Sequence, residues 1–295
     1  MDWIFVGDAH FARGDKGRRG HFASFIQKNR STLATLVIMG DFFDFWFGLR
    51  DITPLKKEYK DILGILAGLR DDGVRVIYLE GNHDFSLGRY MHQELGIEVH
   101  DKSVEIELDG KRIFLAHGDR VSPMLSHLLL TGLLRNRVTY QGISLLGSRI
   151  VMAIAHRWSA SSRGRNMERS PVVISRLRSF AQRKLKQGFD AVILAHTHLP
   201  EAITIKEQGR EGYYFNVGNW IKDFSYLRYN EKKGFSLEYY PQEEKIGAGT
   251  GSTSPARQRI LFCSWPAEPS SFSTVSPTGK RATSGLLLAT MFLLP

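Results

Sequence analysis

Five short stretches of this sequence gather side chains able to hold cations or move protons. They are Asp8-Ala9-His10, Gly40-Asp41-Phe42-Phe43-Asp44, Gly81-Asn82-His83-Asp84, His117-Gly118-Asp119 and His196-Thr197-His198. Together they offer carboxylate oxygen, an amide oxygen and imidazole nitrogen, the donor set that hard and borderline divalent cations accept. Five of the ten histidines of the chain lie in these stretches, a concentration that scattering would rarely produce. The one cysteine, Cys263, leaves no disulfide framework and no thiolate cluster, so a metal here must be held by oxygen and imidazole. Taken singly, each stretch has an ordinary structural explanation. An Asp after a strand caps a helix, a Gly-Asp or Asn-His pair makes a turn, and a lone histidine packs in a core. Their number and order carry the metal reading.

Each stretch follows a short apolar run: Ile4 to Val6, Leu36 to Met39, Val76 to Leu79, Ile113 to Ala116 and Val192 to Ala195. Such runs are the pattern of strands buried on both faces. Helical stretches are expected at residues 18–28 and 55–69, the second marked by Leu55, Tyr59, Ile62, Leu63, Leu66 and Leu69. The alternation predicts an α/β layered fold with its site along the carboxyl edge of a sheet. In Asp8-Ala9-His10 and His196-Thr197-His198 the two-residue spacing predicts extended backbone that points both side chains the same way. Val104 to Leu108 alternates strictly and meets Asp109-Gly110, a type I′ hairpin signal, before the run that ends at Ala116. Late strands at 212–217 and 235–240 make the architecture mixed rather than purely parallel.

Residues 121–187 lack a strand pattern and read as helices inserted between two ligand-bearing strands. They carry twelve Lys or Arg against one acid, Glu168, so this stretch supplies essentially all of the formal charge of +10. It could face nucleic acid, an anionic membrane surface or a phosphorylated substrate, or be a set of solvated helix faces. No apolar run approaches the ~20 residues needed to span a bilayer. With 42% hydrophobic and 24% charged residues the chain has the balance of a globular protein. Met1 to Gly7 runs straight into a strand pattern without the basic and apolar regions of a signal peptide, which predicts a cytoplasmic protein. Residues 247–295 are about half Gly, Ser, Thr and Pro. We expect one domain over 1–240, with 121–187 as a helical cap, and a poorly ordered tail over 241–295.

In their order, Asp-x-His, Gly-Asp-x-x-Asp, Gly-Asn-His-Asp, a later His and His-x-His, the motifs resemble those of calcineurin-like metallophosphoesterases. The resemblance implies a β-sandwich flanked by helices, with an inserted helical cap and two divalent metal ions, expected to be Mn²⁺. It puts Asp8, His10, Asp41 and His198 around one ion and Asp41, Asn82, His117 and His196 around the other, with Asp41 bridging. Two cations so held would activate a water and clamp phosphoryl oxygens during in-line attack. His83 is the candidate to contact the phosphate or the leaving group, with Asp84 orienting it by a hydrogen bond. The alternative is a His83 that only forms the turn.

Within that superfamily, Gly40 to Trp46, Gly81 to Phe85, the helical insert and Asn216-x-x-Asn219-Trp220 resemble the UDP-2,3-diacylglucosamine hydrolases of lipid A biosynthesis. This implies a lipid-linked nucleotide sugar as substrate, contacted by Asn82, His83, Ser162, Asn166, Arg169 and His196. It also implies a peripheral position at the cytoplasmic face of the inner membrane. The chain departs from those enzymes in carrying His83 where they usually have arginine, and Arg120-Val121-Ser122-Pro123 where they continue with a polar, aspartate-containing stretch. Two other readings remain at this point. One is a phosphodiesterase or phosphatase for another substrate. The other is a nucleic-acid-binding protein or nuclease, against which the basic insert interleaves Arg with aliphatic residues rather than with aromatics suited to base stacking.

Overall fold

A computed structural model of the chain describes residues 1–48, 51–121, 169–207, 209–241 and 261–263. In chain order the first elements are β1 (Asp2–Val6), α1 (Lys16–Asn29), β2 (Leu33–Ile38), β3 (Trp46–Phe47), α2 (Thr53–Glu58) and α3 (Lys60–Asp71). Next come β4 (Arg75–Leu79), β5 (Asp84–Phe85), α4 (Gly88–Gln93), β6 (Glu98–His100), β7 (Ser103–Leu108) and β8 (Lys111–Ala116). Helix α5 (Pro171–Lys186) and strands β9 (Ala191–Leu194), β10 (Glu201–Glu207), β11 (Arg210–Asn216), β12 (Ser225–Asn230), β13 (Gly234–Tyr239) and β14 (Leu261–Cys263) complete the described chain.

The strands form a seven-stranded sheet, β14-β13-β12-β1-β2-β4-β6, and a five-stranded sheet, β10-β11-β9-β8-β7, with β3 and β5 as a small parallel pair. β1, β2, β4 and β6 run parallel, as do β8, β9 and β11, while the outer strands β7, β10, β12, β13 and β14 join antiparallel. The five apolar runs are β1, β2, β4, β8 and β9, and burial on both faces explains why they are continuously apolar. One side chain of each alternating pair enters the interface between the sheets: Phe5, Val37 and Ile77 meet Ile113, Leu115, Ile193 and Phe215. The other side faces helices. Ile4, Leu36 and Val76 pack with Phe22, Phe25, Ile62 and Leu66 of α1 and α3. Phe114, Val192 and Tyr214 pack with Leu177, Ala181 and Leu185 of α5. The result is a helix-flanked β-sandwich, as expected.

The hairpin is where the sequence puts it. Leu108 pairs with Lys111, and Asp109 and Gly110 both take positive φ, 50° and 72°, which a type I′ turn requires. The stretch 55–69 differs from expectation, because it is two helices that break at Tyr59 (φ −106°, ψ 21°). The Tyr59 ring is fully buried against Phe43 and Trp46, and its hydroxyl donates to the Phe45 carbonyl at 3.2 Å. The Glu58 carbonyl at the break accepts from the Arg19 guanidinium at 2.8 Å. Strand β12 escaped the apolar pattern because Arg228 sits in it. Its charge is met by Asp2 at 2.6 Å and Glu238 at 3.2 Å, while Tyr226, Leu227 and Tyr229 around it are buried in the core.

Within the stretch expected as a tail, Leu261–Cys263 pairs antiparallel with β13 and extends the larger sheet. Of the expected cap, Val121 and residues 169–187 are described, and the latter hold α5. Residues 122–168, with Ser162 and Asn166, lie outside the described residues. No described helix is long and apolar enough to cross a membrane.

Trp220 closes the helical side of the larger sheet, fully buried with its ring 4.8 Å from Phe25, 5.2 Å from Phe22 and 5.6 Å from Phe224. Truncating so large a side chain leaves a cavity that the surrounding rings cannot fill, so Trp220→Ala should cost about 3–5 kcal/mol. Urea unfolding followed by circular dichroism checks this, and an unchanged midpoint would contradict the packing described.

Candidate metal centre

The loops after the carboxyl ends of β1, β2, β4, β8 and β9 meet at one edge of the sandwich. The first three deliver Asp8, His10, Asp41 and Asn82 from the larger sheet. The other two deliver His117, His196 and His198 from the smaller one. Asp41 lies between the two sets: its Oδ2 is 3.7 Å from His10 Nε2 and 3.5 Å from His117 Nε2. On one side His198 Nε2 is 3.6 Å from Asp8 Oδ1 and 3.3 Å from His10 Nε2. On the other, His117 Nε2 is 3.3 Å from Asn82 Oδ1. Ligating atoms of Asp8, His10 and His198 lie within 4.8 Å of one another, and so do those of Asp41, His117 and His196. The facing lone pairs of the His10 and His198 imidazoles, with the carboxylate oxygens of Asp8 and Asp41 beside them, are donors that a cation would satisfy together. The donor set therefore fits two divalent ions sharing Asp41.

Backbone geometry corrects one expectation. Asp8 and His10 (φ 50° and 43°) and His196 and His198 (φ 72° and 54°) are left-handed, not extended, and Asp41 (φ 50°) is left-handed as well. Only eight non-glycine residues among those described have positive φ, and five of them are these ligand candidates. Such conformers are costly for residues with a Cβ and persist where the surroundings over-determine them. In each pair the alternate residue turns back, so both side chains face the same centre by a tight turn.

Asp84 supplies part of that over-determination. Its Oδ1 accepts from the amides of Asp41 (2.9 Å) and Gly81 (3.0 Å). Its Oδ2 accepts from the amides of Phe42 (2.6 Å) and Phe43 (3.2 Å) and from the Tyr78 hydroxyl (2.6 Å). His83 is not among these donors, so the expected orientation of His83 by Asp84 is replaced by a hold on the Asp41 loop. The reason is burial: Asp84 lies wholly beneath the centre, where it meets backbone amides. His83 Nδ1 is instead 3.0 Å from the Asp44 carbonyl. A carbonyl only accepts, so Nδ1 carries a proton. Nε2 is the ring nitrogen left to face the centre, where His83 falls within 4.8 Å of His10 and Asp41 ligating atoms.

Other groups fix the remaining ligands. The Met39 carbonyl accepts from His117 Nδ1 at 2.8 Å, which turns Nε2 toward Asp41. Asn216 Nδ2 donates to the Ala195 carbonyl (2.7 Å) and Asn219 Nδ2 to the His198 carbonyl (3.0 Å), bracketing the His196-Thr197-His198 turn. Arg169, expected to touch substrate, donates to the same His198 carbonyl at 3.3 Å. The sequence reading missed the support given by Arg18, whose guanidinium donates to the carbonyls of Ala9 (2.6 Å) and His10 (3.1 Å). An arginine on a helix carries no local signal of such a contact.

The electrostatics follow from burial and from the crowding of charge. Burial, with His83 beside it, keeps the His10 imidazole well below its ordinary value, and burial pushes His198 down to about 4. For Asp41 burial works to raise the carboxyl, but His117, His83 and His10 outweigh it and hold it well below the usual carboxylate range. Burial likewise works to lower His117, and Asp41, helped by Asp8, reverses this and holds it well above its ordinary value. Burial and the charge of Asp41 push the Asp84 carboxyl up to about 7.

His117 without a cation is therefore protonated near neutrality, and its Nε2 must lose that proton to become a ligand. Cation uptake at pH 7 should release protons, and affinity should fall as the pH is lowered. Calorimetric titrations in buffers of different ionisation enthalpy check this, and identical heats in all buffers would contradict the assignment. A second outcome follows from Gly81, where an added Cβ would overlap the Asp41 carboxylate. Gly81→Ala should weaken cation binding by about 10–100-fold. Gly88→Ala, with nothing within 4 Å of the added carbon, should leave the same titration unchanged.

Residues 1–200 match the calcineurin-like phosphoesterase family. The chain is similar to a UDP-2,3-diacylglucosamine hydrolase of Proteus mirabilis, 26% identical over 235 residues, covering 79% of this chain and 97% of the relative. It is also similar to a protein of that name from Porphyromonas gingivalis, 29% identical over 249 residues, covering 75% and 91% of the two chains. Among solved structures, vacuolar protein sorting 29 of Cryptosporidium parvum aligns with a TM-score of 0.44 and 12% identity, over 90% of this chain and 98% of that one. With the family match spanning about two thirds of its length, the chain belongs to the calcineurin-like phosphoesterases.

Proposed function

We propose that this chain is a dinuclear metal-dependent phosphohydrolase that cleaves the diphosphate of UDP-2,3-diacylglucosamine to UMP and 2,3-diacylglucosamine 1-phosphate. The observation that carries the two-cation reading is Asp41, whose Oδ2 stands 3.7 Å and 3.5 Å from the Nε2 atoms of His10 and His117 and so joins the two ligand sets. Support for the substrate comes from relatives of that name that align over most of this chain. Asp8, His10, Asp41 and His198 would hold one ion and Asp41, Asn82, His117 and His196 the other, with Mn²⁺ as the ion proposed. Bound there, the ions would polarise a phosphoryl oxygen and acidify the attacking water.

The chain's own groups do the rest. With Nδ1 fixed on the Asp44 carbonyl, His83 turns Nε2 toward the centre, where a second proton on the ring would be donated to a phosphate or leaving-group oxygen. Arg169 stands at the His198 carbonyl, and its guanidinium adds positive charge beside the diphosphate. Ser162 and Asn166 would bind the same substrate, as would Asn82 and His196. The basic residues between 121 and 187 suit a chain that works at the anionic cytoplasmic face of the inner membrane, drawing its substrate from that surface. A nucleic-acid partner is not part of this reading. His83 in place of the arginine usual in those hydrolases favours, as the second reading, a related phosphodiester as substrate.

Purified protein with Mn²⁺ should release UMP from UDP-2,3-diacylglucosamine, and Asp41→Ala should abolish the release. Cleavage of a generic aryl phosphodiester that depends on Asp41, with no UMP formed, would retain the metal centre and overturn the substrate.

A further inference from the structure

Arg18 stands on the first turn of α1, just beyond the loop that carries Asp8 and His10. That loop is pinned on its inner side to the end of β2. The Asp8 amide donates to the Gly40 carbonyl at 3.1 Å and the His10 amide to the Asp41 carbonyl at 2.9 Å. The Asp8 carbonyl accepts from the Trp220 amide at 3.2 Å. The next two carbonyls, of Ala9 and His10, turn outward to α1. Among the described residues the Arg18 guanidinium is the donor that reaches them, Nη1 to Ala9 at 2.6 Å and Nη2 to His10 at 3.1 Å. Two adjacent carbonyl dipoles aimed at one point repel each other unless a cation lies between them, and a planar two-armed guanidinium suits that geometry better than an ammonium.

The backbone held in this way is the strained part of the centre, with Asp8 at φ 50° and His10 at φ 43°. Arg18 is itself positioned by Asp15, the N-cap of α1, whose carboxylate pairs with the guanidinium and accepts from the Arg18 amide at 3.3 Å. The neighbouring Arg19 does a different job. It is buried and bonds the carbonyls of Ala12 and Glu58 and the Asp61 carboxylate, so it ties the loop's exit to the α2–α3 break. Arg18 keeps 23% of its side chain exposed, so its removal leaves no sealed charge or cavity behind.

We propose that Arg18 is a positioning residue for the cation held by Asp8, His10 and His198: gripping the Ala9 and His10 carbonyls, it keeps the left-handed turn that aims Asp8 and His10 at the same ion. The inference rests on the two-cation reading above. Arg18 touches neither the ligating atoms nor the Asp41–His117–His196 group, so its effect falls on one of the two ions.

Full-length wild type, Arg18→Ala and Arg18→Lys are titrated with Mn²⁺ by calorimetry, with bound metal counted after desalting. Arg18→Ala should weaken one of two Mn²⁺ equivalents by about 10–100-fold, the cost usual for a group that orients a ligand, and leave the other within about twofold. Millimolar guanidinium ion should restore the weakened equivalent where sodium chloride does not, and Arg18→Lys should recover it only in part. Metal-free, all three proteins should remain folded, with Arg18→Ala melting somewhat lower for the two carbonyl contacts it loses. Equal weakening of both equivalents, or of neither, overturns the role given to Arg18. Uptake of a single equivalent by the wild type overturns the two-cation reading instead, and Arg18 is then judged on that one ion by the same loss and the same rescue.

Discussion

The buried carboxylate of Asp84 accepts hydrogen bonds from five donors, four of them backbone amides of two different loops. Through it the turn after β2, which carries Asp41, is fastened to the turn after β4, which carries Asn82 and His83. Hydrogen bonds to a charged acceptor are worth about 1.5–3 kcal/mol each, and they offset part of the cost of burying this carboxyl, which burial and Asp41 still push up to about 7. The approach this enforces is close. A Cβ on Gly81 would overlap the Asp41 carboxylate, and one on Gly40 would stand 2.7 Å from His117 Nδ1. Glycine at both positions is thus a requirement of the contact, and the spacing between the two ligand sets depends on it.

Around that fastening the centre is built from conformers the chain would not choose alone. Left-handed backbone at Asp8, His10, Asp41, His196 and His198 costs on the order of 1–3 kcal/mol per residue. The strain is tolerated because each turn is bonded on several sides, by β2 and Trp220 for the first and by Asn216 and Asn219 for the last. The rigid base is the sandwich. With apolar side chains on both faces of β1, β2, β4, β8 and β9, the strand ends have little freedom to shift relative to one another.

The charge pattern completes the design. Five histidines and two carboxylates crowd within a few ångströms, and without a cation they resolve the conflict by moving protons. Asp41 stays ionised, His117 holds a proton, and His10 and His198 stay neutral. Asp41 is close to both sides, and Asp8 on the first also acts on His117 of the second, so charge on one side is felt on the other.

Much of this was legible in the sequence because it is local. A strand buried on both faces must be a run of apolar residues, and a ligand must be Asp, Asn or His, so the five runs and the residues after them could be read together. The hairpin at Asp109-Gly110 was legible for the same reason, since positive φ at two adjacent positions restricts the residue types. What the tertiary structure alone decided involves partners distant in the chain. Arg228 reads as polar until Asp2 and Glu238 are beside it, and a helix across 55–69 reads as continuous until Tyr59 is drawn into the core and Arg19 takes the Glu58 carbonyl. Asp84 looked like a partner for the adjacent His83, yet its donors come chiefly from a loop some forty residues earlier. The sequence by itself thus determined which side chains could bind cations and that strands would carry them. Their left-handed turns and the groups that hold those turns were decided by packing, because backbone strain and long-range hydrogen bonds leave no periodicity in a sequence.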